Sequence, residues 1–222
     1  AEEVAYILSN SGARVLFVGP ETAERGHEAA AQSDVHTVVG WGDSGKATAW
    51  DEWLSRNDPG EPDQTVPPRP NLLYTSGTTG RPKGAMLSHR NILSMTQGFL
   101  TDINSARLGD VLLHASPITH GSGLSMFHHI GRGAANAFPG TRRFDPSLIF
   151  QAIERYEVTT MFMAPTMINM LVASGSHGKY DLSSLHTIVY GGGPMYVEHL
   201  LEAMEKMLRM LMEEYNFLIL LI

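Results

Sequence analysis

Short apolar runs alternate with amphipathic helical segments along most of the chain. VLFV at 15–18 and HTVV at 36–39 are typical of strands, because β-branched and aromatic residues dominate them. DPSLIFQAIERY predicts a helix over 146–156, since Asp145 suits the N-cap and Pro146 suits the first turn. Strands that alternate with helices favour an α/β fold with largely parallel sheets flanked by helices.

The same patterns predict further elements. Strands are expected over 71–75 and 111–117 and within TTMFMAP (159–165) and LHTIVY (185–190), and helices within MLSHRNILSMTQGFL (86–100), TMINMLVAS (166–174) and the apolar face that runs from Val197 to Leu211. The methionine-rich run at 161–170 suits an adaptable core or the border of an acyl tunnel. Trp41, Trp50 and Trp53 are expected to pack as a local cluster.

The charge balance and the absence of cysteine exclude several classes of function. The chain has 222 residues, with 16 basic and 23 acidic side chains and a net charge of −7, which argues against sequence-independent nucleic-acid binding. Without cysteine there is no disulfide framework, cysteine-based zinc site or thiol nucleophile. His114, His120, His128 and His129 also lack the spacing of a zinc motif.

Neither end of the sequence has the pattern of a targeting or membrane segment. AEEVAYILSN is acidic where a signal peptide would be basic. FLILLI at 217–222 is far shorter than the roughly 20 apolar residues of a membrane span. We therefore expect a cytoplasmic protein without a membrane span, in which an exposed FLILLI would favour self-association.

The stretch YTSGTTGRPKG at 74–84 has the composition of a phosphate-binding loop. Glycines let backbone N–H groups turn towards an anion, hydroxyls add donors, and lysine adds a positive charge. The loop is predicted between a strand and a helix, which is the usual context of a phosphate-binding turn. The candidate phosphate-binding residues are Thr75, Ser76, Gly77, Thr78, Thr79, Gly80 and Lys83.

The spacing within this loop excludes two common nucleotide motifs. Two residues separate Gly77 from Gly80, and Gly84 follows Lys83, so the loop does not match the P-loop of phosphoryl-transfer NTPases. It does not match the dinucleotide pattern G-x-G-x-x-G either. A flexible surface loop is the alternative that the residues alone leave open.

LLYTSGTTGRPKG at 72–84 resembles the signature of the adenylate-forming superfamily, which includes acyl-CoA synthetases, nonribosomal adenylation domains and luciferases. The likeness extends to HASPITHGSG (114–123), to the segment 144–171 and to DLSSLHTIVYGGGPM (181–195). It implies that residues 1–206 form part of the N-terminal, AMP-binding domain of an acyl-CoA synthetase-like fold. Residues 207–222 would be an atypical tail.

The resemblance implies a two-step reaction. A carboxylic acid attacks the α-phosphate of ATP to give an acyl-adenylate and pyrophosphate, and coenzyme A then takes the acyl group. The glycine loop would hold the β- and γ-phosphates, with Thr79 facing Mg²⁺. The residues expected at the acyl and adenine pocket are His120, Gly191, Gly192, Gly193 and Pro194. No catalytic residue is assigned.

The end of the sequence departs from the family pattern. After GGGPM, at 191–195, no Tyr-Gly-x-Thr-Glu segment follows, and neither the ribose-binding aspartate nor the C-terminal catalytic lysine is present. We therefore expect that the isolated chain does not turn over. The alternative function is a non-catalytic remnant that binds nucleotide weakly or serves as an interaction domain.

Overall fold

A computed structural model of the chain describes residues 1–57, 60–61, 65, 70–75, 80–141, 143–193, 201, 205 and 218–221. The chain divides into two compact units, residues 1–91 and 92–222. The predictions for Ser76, Gly77, Thr78, Thr79 and Pro194, and almost all of the helix predicted from Val197 to Leu211, lie outside the described residues. Within the described part, no helix combines the length and hydropathy that a bilayer crossing requires.

The first unit contains a parallel sheet and an antiparallel hairpin. Its elements are α1 (Glu2–Ser11), β1 (Val15–Val18), α2 (Ala23–Ala30), β2 (Thr37–Gly40), β3 (Thr48–Ala49), α3 (Trp50–Ser55), β4 (Asn71–Thr75) and β5 (Lys83–Leu87). The described strands pair in the order β1-β2-β3, all parallel, while β4 and β5 pair antiparallel.

Small residues bring α2 close to its neighbours in the first unit. Ala29 of α2 packs against Ala5 and Leu8 of α1 in a buried cluster. A Cβ on Gly26 would lie 2.5 Å from Cγ1 of Val18, a distance that side-chain contacts do not tolerate. Only glycine at position 26 therefore lets α2 lie this close to β1.

The tryptophan cluster is confirmed in part. Trp50 and Trp53 of α3 pack against each other and against Phe17, with ring centroids 5.5–5.9 Å apart. Trp41 instead lies against Gly19, where an added Cβ would be 3.1 Å from the indole.

The second unit is built on a parallel sheet. Its elements are α4 (His89–Gly98, which begins in the first unit), a π-helical turn (Phe99–Ile103), β6 (Val111–Leu113), α5 (Gly121–Gly131), β7 (Ala135–Ala137), α6 (Pro146–Tyr156), β8 (Thr160–Met163), α7 (Pro165–Ser174), a 3₁₀ turn (His177–Lys179), β9 (Thr187–Tyr190) and β10 (Leu218–Leu221). The described strands pair in the order β10-β9-β8-β6-β7, all parallel.

One face of this sheet forms the main hydrophobic core. Leu113, Met161 and Ile188 come from three adjacent strands and are fully buried. They belong to one cluster with apolar side chains of α6 and α7, among them Ile153 and Ile168. Because side chains alternate along a strand, the intervening residues face the opposite side of the sheet, which α5 covers.

The predicted α/β architecture with largely parallel sheets is confirmed, and so are several elements. The strands at 15–18 and 71–75 and the helix at 146–156 have the predicted bounds. Asp145 caps α6 as expected, since its Oδ1 accepts hydrogen bonds from the backbone N–H groups of Ser147 and Leu148 at 2.9 and 3.3 Å.

One local prediction is wrong. The strand β5 (Lys83–Leu87) follows the glycine loop, so the loop joins two strands of a hairpin and does not lead directly into a helix. At Leu218–Leu221, where the sequence analysis assigned no strand, the backbone pairs with β9 as an edge strand.

Replacing Ile153 by alanine tests the core between the sheet and α6. The side chain of Ile153 is fully buried, so Ile153→Ala should lower the free energy of unfolding by about 2–5 kcal/mol. Chemical denaturation followed by circular dichroism measures the loss. The matched control is Leu148→Ala on the same helix, where 38% of the residue is exposed and a much smaller loss is expected. Equal losses at the two positions would contradict the assignment of the core.

Candidate functional site

At β6 the order in which successive strands join the sheet changes direction. From β6 it crosses to β7 on one side, and from β7 it passes back over β6 to β8 on the other side. The connections on the two sides of such a switch point separate, and a crevice opens beyond the carboxyl ends of the strands. The topology alone therefore marks the ends of β6 and β8 as a place for a ligand.

A cavity of about 580 Å³ lies at this edge of the sheet. Its walls come from the segments that follow β6 and β7 and from the first turns of α6 and α7. The lining residues are His114, Ala115, Ser116, Pro117, Ile118, Thr119, Phe138, Pro139, Thr141, Arg143, Phe144, Ile149 and Met167. The wall is mainly apolar, and Arg143 is the one charged residue among these.

Two hydrogen bonds fix the imidazole of His114 in the wall of the cavity. Its Nε2 lies 2.8 Å from Oδ1 of Asn136, and its Nδ1 lies 2.7 Å from Oγ of Ser122. Since the amide oxygen accepts only, Nε2 donates to Asn136, and Nδ1 accepts from the hydroxyl of Ser122. The ring also stacks on Phe138, with centroids 5.0 Å apart.

The charge state of His114 follows from its surroundings. Burial lowers the pKa of its imidazole, and the hydrogen bond to Asn136 offsets this only in part. The ring is therefore neutral at pH 7, as the hydrogen-bond directions require. A neutral, oriented imidazole gives this wall a polar group without a net charge.

Glycines shape the turn that carries the segment 114–123 from β6 into α5. A Cβ on Gly123 would lie 1.9 Å from the carbonyl oxygen of Ile118, and one on Gly121 would lie 3.1 Å from the ring of Phe162. The turn can fold back on itself only because position 123 lacks a side chain.

His120 does not line the cavity. It precedes α5 as an exposed residue, and its Nδ1 is 2.9 Å from Oγ1 of the neighbouring Thr119. From this segment the structure brings His114 and residues 115–119 to the cavity. The pocket role of His120 stays a prediction.

The described part of the predicted glycine turn lies at the same edge of the sheet, beyond β9. Gly191 is buried, and its N–H donates to the carbonyl of Met163 at 3.3 Å. Gly192 has a φ of 82°, which favours glycine. The turn is well placed to present backbone groups at the sheet edge. Its adenine and acyl contacts stay predictions.

The base of the predicted phosphate loop is the end of the β4–β5 hairpin, in the first unit. Thr75 pairs with Lys83, so both lie where the two strands end, and Lys83 is exposed. The Arg81 guanidinium lies 5.7 Å from the centroid of the Tyr6 ring. Gly80 has a φ of 90°, as a tight turn needs. Arg81 and Lys83 are both exposed beside the loop, and the phosphate contact of Lys83 stays a prediction.

Phe138, Arg143 and Met167 are among the cavity-wall residues that the sequence analysis did not name individually. The first two follow β7, whose sequence Ala-Asn-Ala carries no strong strand signal. The rule that parallel strands gather their carboxyl ends at one edge would have indicated them once the end of β7 was known. Of the methionine-rich run, Met161 and Met163 belong to the core, whereas Met167 lines the cavity.

Two more histidines, His128 and His129, lie buried on α5. His128 stacks on Phe99 with centroids 4.9 Å apart, and the rings of His128 and His129 lie 4.4 Å apart. Burial is the main cause that lowers the pKa of both imidazoles, that of His128 to about 4, and the neighbouring His129 contributes to the low pKa of His128. Among the described residues, no group of three or more histidine, aspartate or glutamate side chains is placed to hold a metal ion.

A comparison with protein families identifies the family of this chain. The model of a family described as "AMP-binding enzyme" matches residues 1–215. The chain belongs to the AMP-binding enzyme family. The resemblance drawn from the glycine loop is thereby confirmed.

Two curated members of the AMP-binding family show how much of such an enzyme the chain represents. It is 32% identical to the fatty acid–[acyl-carrier-protein] ligase ScoC of Streptomyces coeruleorubidus over 199 residues, covering 88% of the chain and 37% of ScoC. It is 33% identical to feruloyl-CoA synthase of an Amycolatopsis species over 195 residues, covering 87% of the chain and 37% of that enzyme. The chain thus spans less than two fifths of the length of these relatives.

A solved structure of an AMP-binding enzyme has the same fold. The anthranilate CoA ligase AuaEII, solved in complex with anthranoyl-AMP, superposes with a TM-score of 0.80 and 25% identity, over 92% of the chain and 41% of AuaEII. The expectation of an acyl-CoA synthetase-like α/β fold is confirmed.

Acid should destabilise the protein through its buried histidines. The pKa of His128 is about 4 when folded and 6.5 when unfolded, so the unfolded chain takes up a proton first as the pH falls. Above pH 6.5 the neutral His128 costs the folded protein no stability. By pH 4.5 the free energy of unfolding is expected to be lower by an amount on the order of 2–3 kcal/mol. Urea unfolding between pH 4.5 and 7.5 measures it.

His128→Gln cannot take up this proton, so its stability should fall less steeply with pH than that of the wild type. His89→Gln removes an exposed histidine of α4 and serves as the control, with an unchanged slope. A slope for His128→Gln as steep as that of the wild type would show that His128 does not carry the effect.

Proposed function

We propose that the protein activates an organic carboxylic acid with ATP and passes the acyl group to coenzyme A. The observation that carries this proposal is the cavity of about 580 Å³ at the switch point of a parallel sheet, in a chain of the AMP-binding family. Its apolar wall suits a carbon skeleton, and its few polar groups suit the orientation of a polar end.

The proposed reaction has two balanced steps. A carboxylate oxygen attacks the α-phosphorus of ATP, and the bond to the β-phosphate oxygen breaks, so that pyrophosphate leaves and an acyl-adenylate forms. The thiol sulfur of coenzyme A then attacks the acyl carbonyl carbon, the thiol proton is lost, and AMP leaves. Both steps move negative charge onto a departing phosphate group, which positive charge and N–H donors stabilise.

The hairpin loop supplies this charge stabilisation in the proposal. Lys83 is the first residue of β5 and is exposed, and the glycine-rich residues between it and Thr75 would present N–H and hydroxyl donors to the β- and γ-phosphates. Mg²⁺ generally binds through substrate phosphates and few protein oxygens. It therefore does not need a cluster of three or more acidic or histidine ligands, and the described residues contain none. Thr79 would supply one such oxygen.

The cavity favours acids with an acyl chain or an aromatic ring. Phe138 and Met167 offer an aromatic face and a flexible thioether, which accommodate flat or irregular apolar groups. None of the described lining residues is a carboxylate, so an α-ammonium group would find no acidic partner among them. Two of the enzymes similar to this chain carry fatty acid and feruloyl in their names, which agrees with such substrates.

Lys83→Ala should weaken ATP binding about tenfold or more, because it removes a positive charge from the phosphate loop. Isothermal calorimetry with Mg²⁺-ATP measures the dissociation constant. Lys179→Ala removes an exposed lysine from the second unit and is the matched control, with an unchanged constant. If Lys83→Ala binds ATP as tightly as the control, the phosphate role of the hairpin is wrong.

A larger side chain in the cavity should reduce the number of acids that the protein accepts. Met167→Trp places a larger side chain in the wall, so long-chain and aryl acids should no longer yield an acyl-adenylate, while acetate is affected least. The range of accepted acids is measured by mass spectrometry of the acyl-adenylates formed from a panel of acids. The assay uses the full-length protein that contains these 222 residues.

Met170→Trp lies on the same helix with 47% of the residue exposed and does not line the cavity, so it should keep the wild-type range. An unaltered range in Met167→Trp would place the acid elsewhere. No acyl-adenylate from the wild-type protein with any acid of the panel would overturn the proposed function as a whole.

A further inference from the structure

A second cavity, of about 500 Å³, opens at the edge of the sheet in the first unit. The strand β3 has two residues, which pair with Val39 and Gly40 of β2. On that side Thr37 and Val38 of β2 therefore have no strand beside them among the described residues. The gap between β2, the start of β3 and the last turn of α3 is the cavity.

Among its described lining residues the cavity has two cations and no carboxylate. Lys46 precedes β3 and Arg56 follows α3, and both line the space. Arg56 forms a salt bridge with Glu52 one turn earlier on the helix, which orients the guanidinium while both side chains stay exposed. The fork of an arginine beside the point charge of a lysine is an arrangement that suits phosphate oxygens.

Neutral donors complete the wall. Thr37 and Thr48, on neighbouring strands, line the cavity, and each carries a hydroxyl that can donate a hydrogen bond. His36 also lines it, and its Nε2 accepts a hydrogen bond from Nη1 of Arg14 at 3.2 Å. A ring whose Nε2 accepts carries its proton on Nδ1, which is a hydrogen-bond donor.

An aromatic surface adjoins these donors. Trp53 lines the cavity and is itself held by Phe17 and Trp50, with ring centroids 5.5 and 5.9 Å from its own. A tryptophan fixed by two aromatic neighbours offers a flat apolar surface at little entropic cost. The wall therefore pairs a cationic part with a flat apolar part.

We propose that this cavity binds a phosphorylated small molecule that carries a planar ring, with the phosphate at Lys46 and Arg56 and the ring against Trp53. The volume suits such a ligand, since small-molecule pockets hold roughly 300–1,000 Å³. Two cations and several hydroxyl and N–H donors match a dianion with three terminal oxygens better than a single carboxylate. This site lies within the first unit and does not depend on the adenylation reaction.

The test titrates the 222-residue chain with phenyl phosphate and with inorganic phosphate, followed by calorimetry and tryptophan fluorescence. Phenyl phosphate should bind more tightly than phosphate and change the fluorescence. The double variant Lys46→Gln/Arg56→Gln should lose about tenfold or more of this affinity. Trp53→Leu should abolish the advantage of phenyl phosphate over phosphate.

Two controls separate this site from others. Arg25→Gln removes an exposed arginine of α2 that does not line the cavity, and Lys179→Ala removes an exposed lysine of the second unit. Both should bind phenyl phosphate like the wild type. Wild-type binding by a folded Lys46→Gln/Arg56→Gln variant, loss of binding in Lys179→Ala, or saturation by an acidic peptide but not by phenyl phosphate would each overturn the proposal.

Discussion

The parallel pairing of β6 with both β7 and β8 is the constraint on which the second unit depends. Parallel strands need crossover connections, and the passage from β7 back over β6 makes the chain change direction at this strand. The segments that leave β6 and β7 therefore meet the start of α7 at one edge. The cavity with His114, Arg143 and Met167 in its wall is a consequence of that topology.

The two faces of this sheet are buried by different chemistry. On one face, apolar side chains such as Ile153 and Met161 pack against α6 and α7 and supply most of the stabilisation. On the other face, α5 buries polar groups, and Ser122 and Asn136 hold His114 in one orientation. The polar face contributes less stability, but it fixes the position of a group that lines the cavity and makes the fold sensitive to acid.

Local signals explain which elements the sequence predicts and which it does not. The helix Pro146–Tyr156 has its own cap and first-turn proline, so its bounds follow from the sequence alone. The strand β5 begins Lys-Gly-Ala, which is a weak strand former, and it is extended because it pairs with β4. The site is still harder to predict from the sequence. The orientation of the His114 ring depends on Asn136, 22 positions away, and only the tertiary fold brings the two together.

The central claim is that the edge of the sheet beyond β6 and β8 receives the organic acid. Photoaffinity labelling tests it most directly, with a diazirine-bearing aryl carboxylic acid and ATP and with peptide mapping by mass spectrometry. The account predicts labels on residues 114–119, 138–144 and Met167, and competition by the unmodified acid. Competed labels that fall only on other segments of the chain would contradict it.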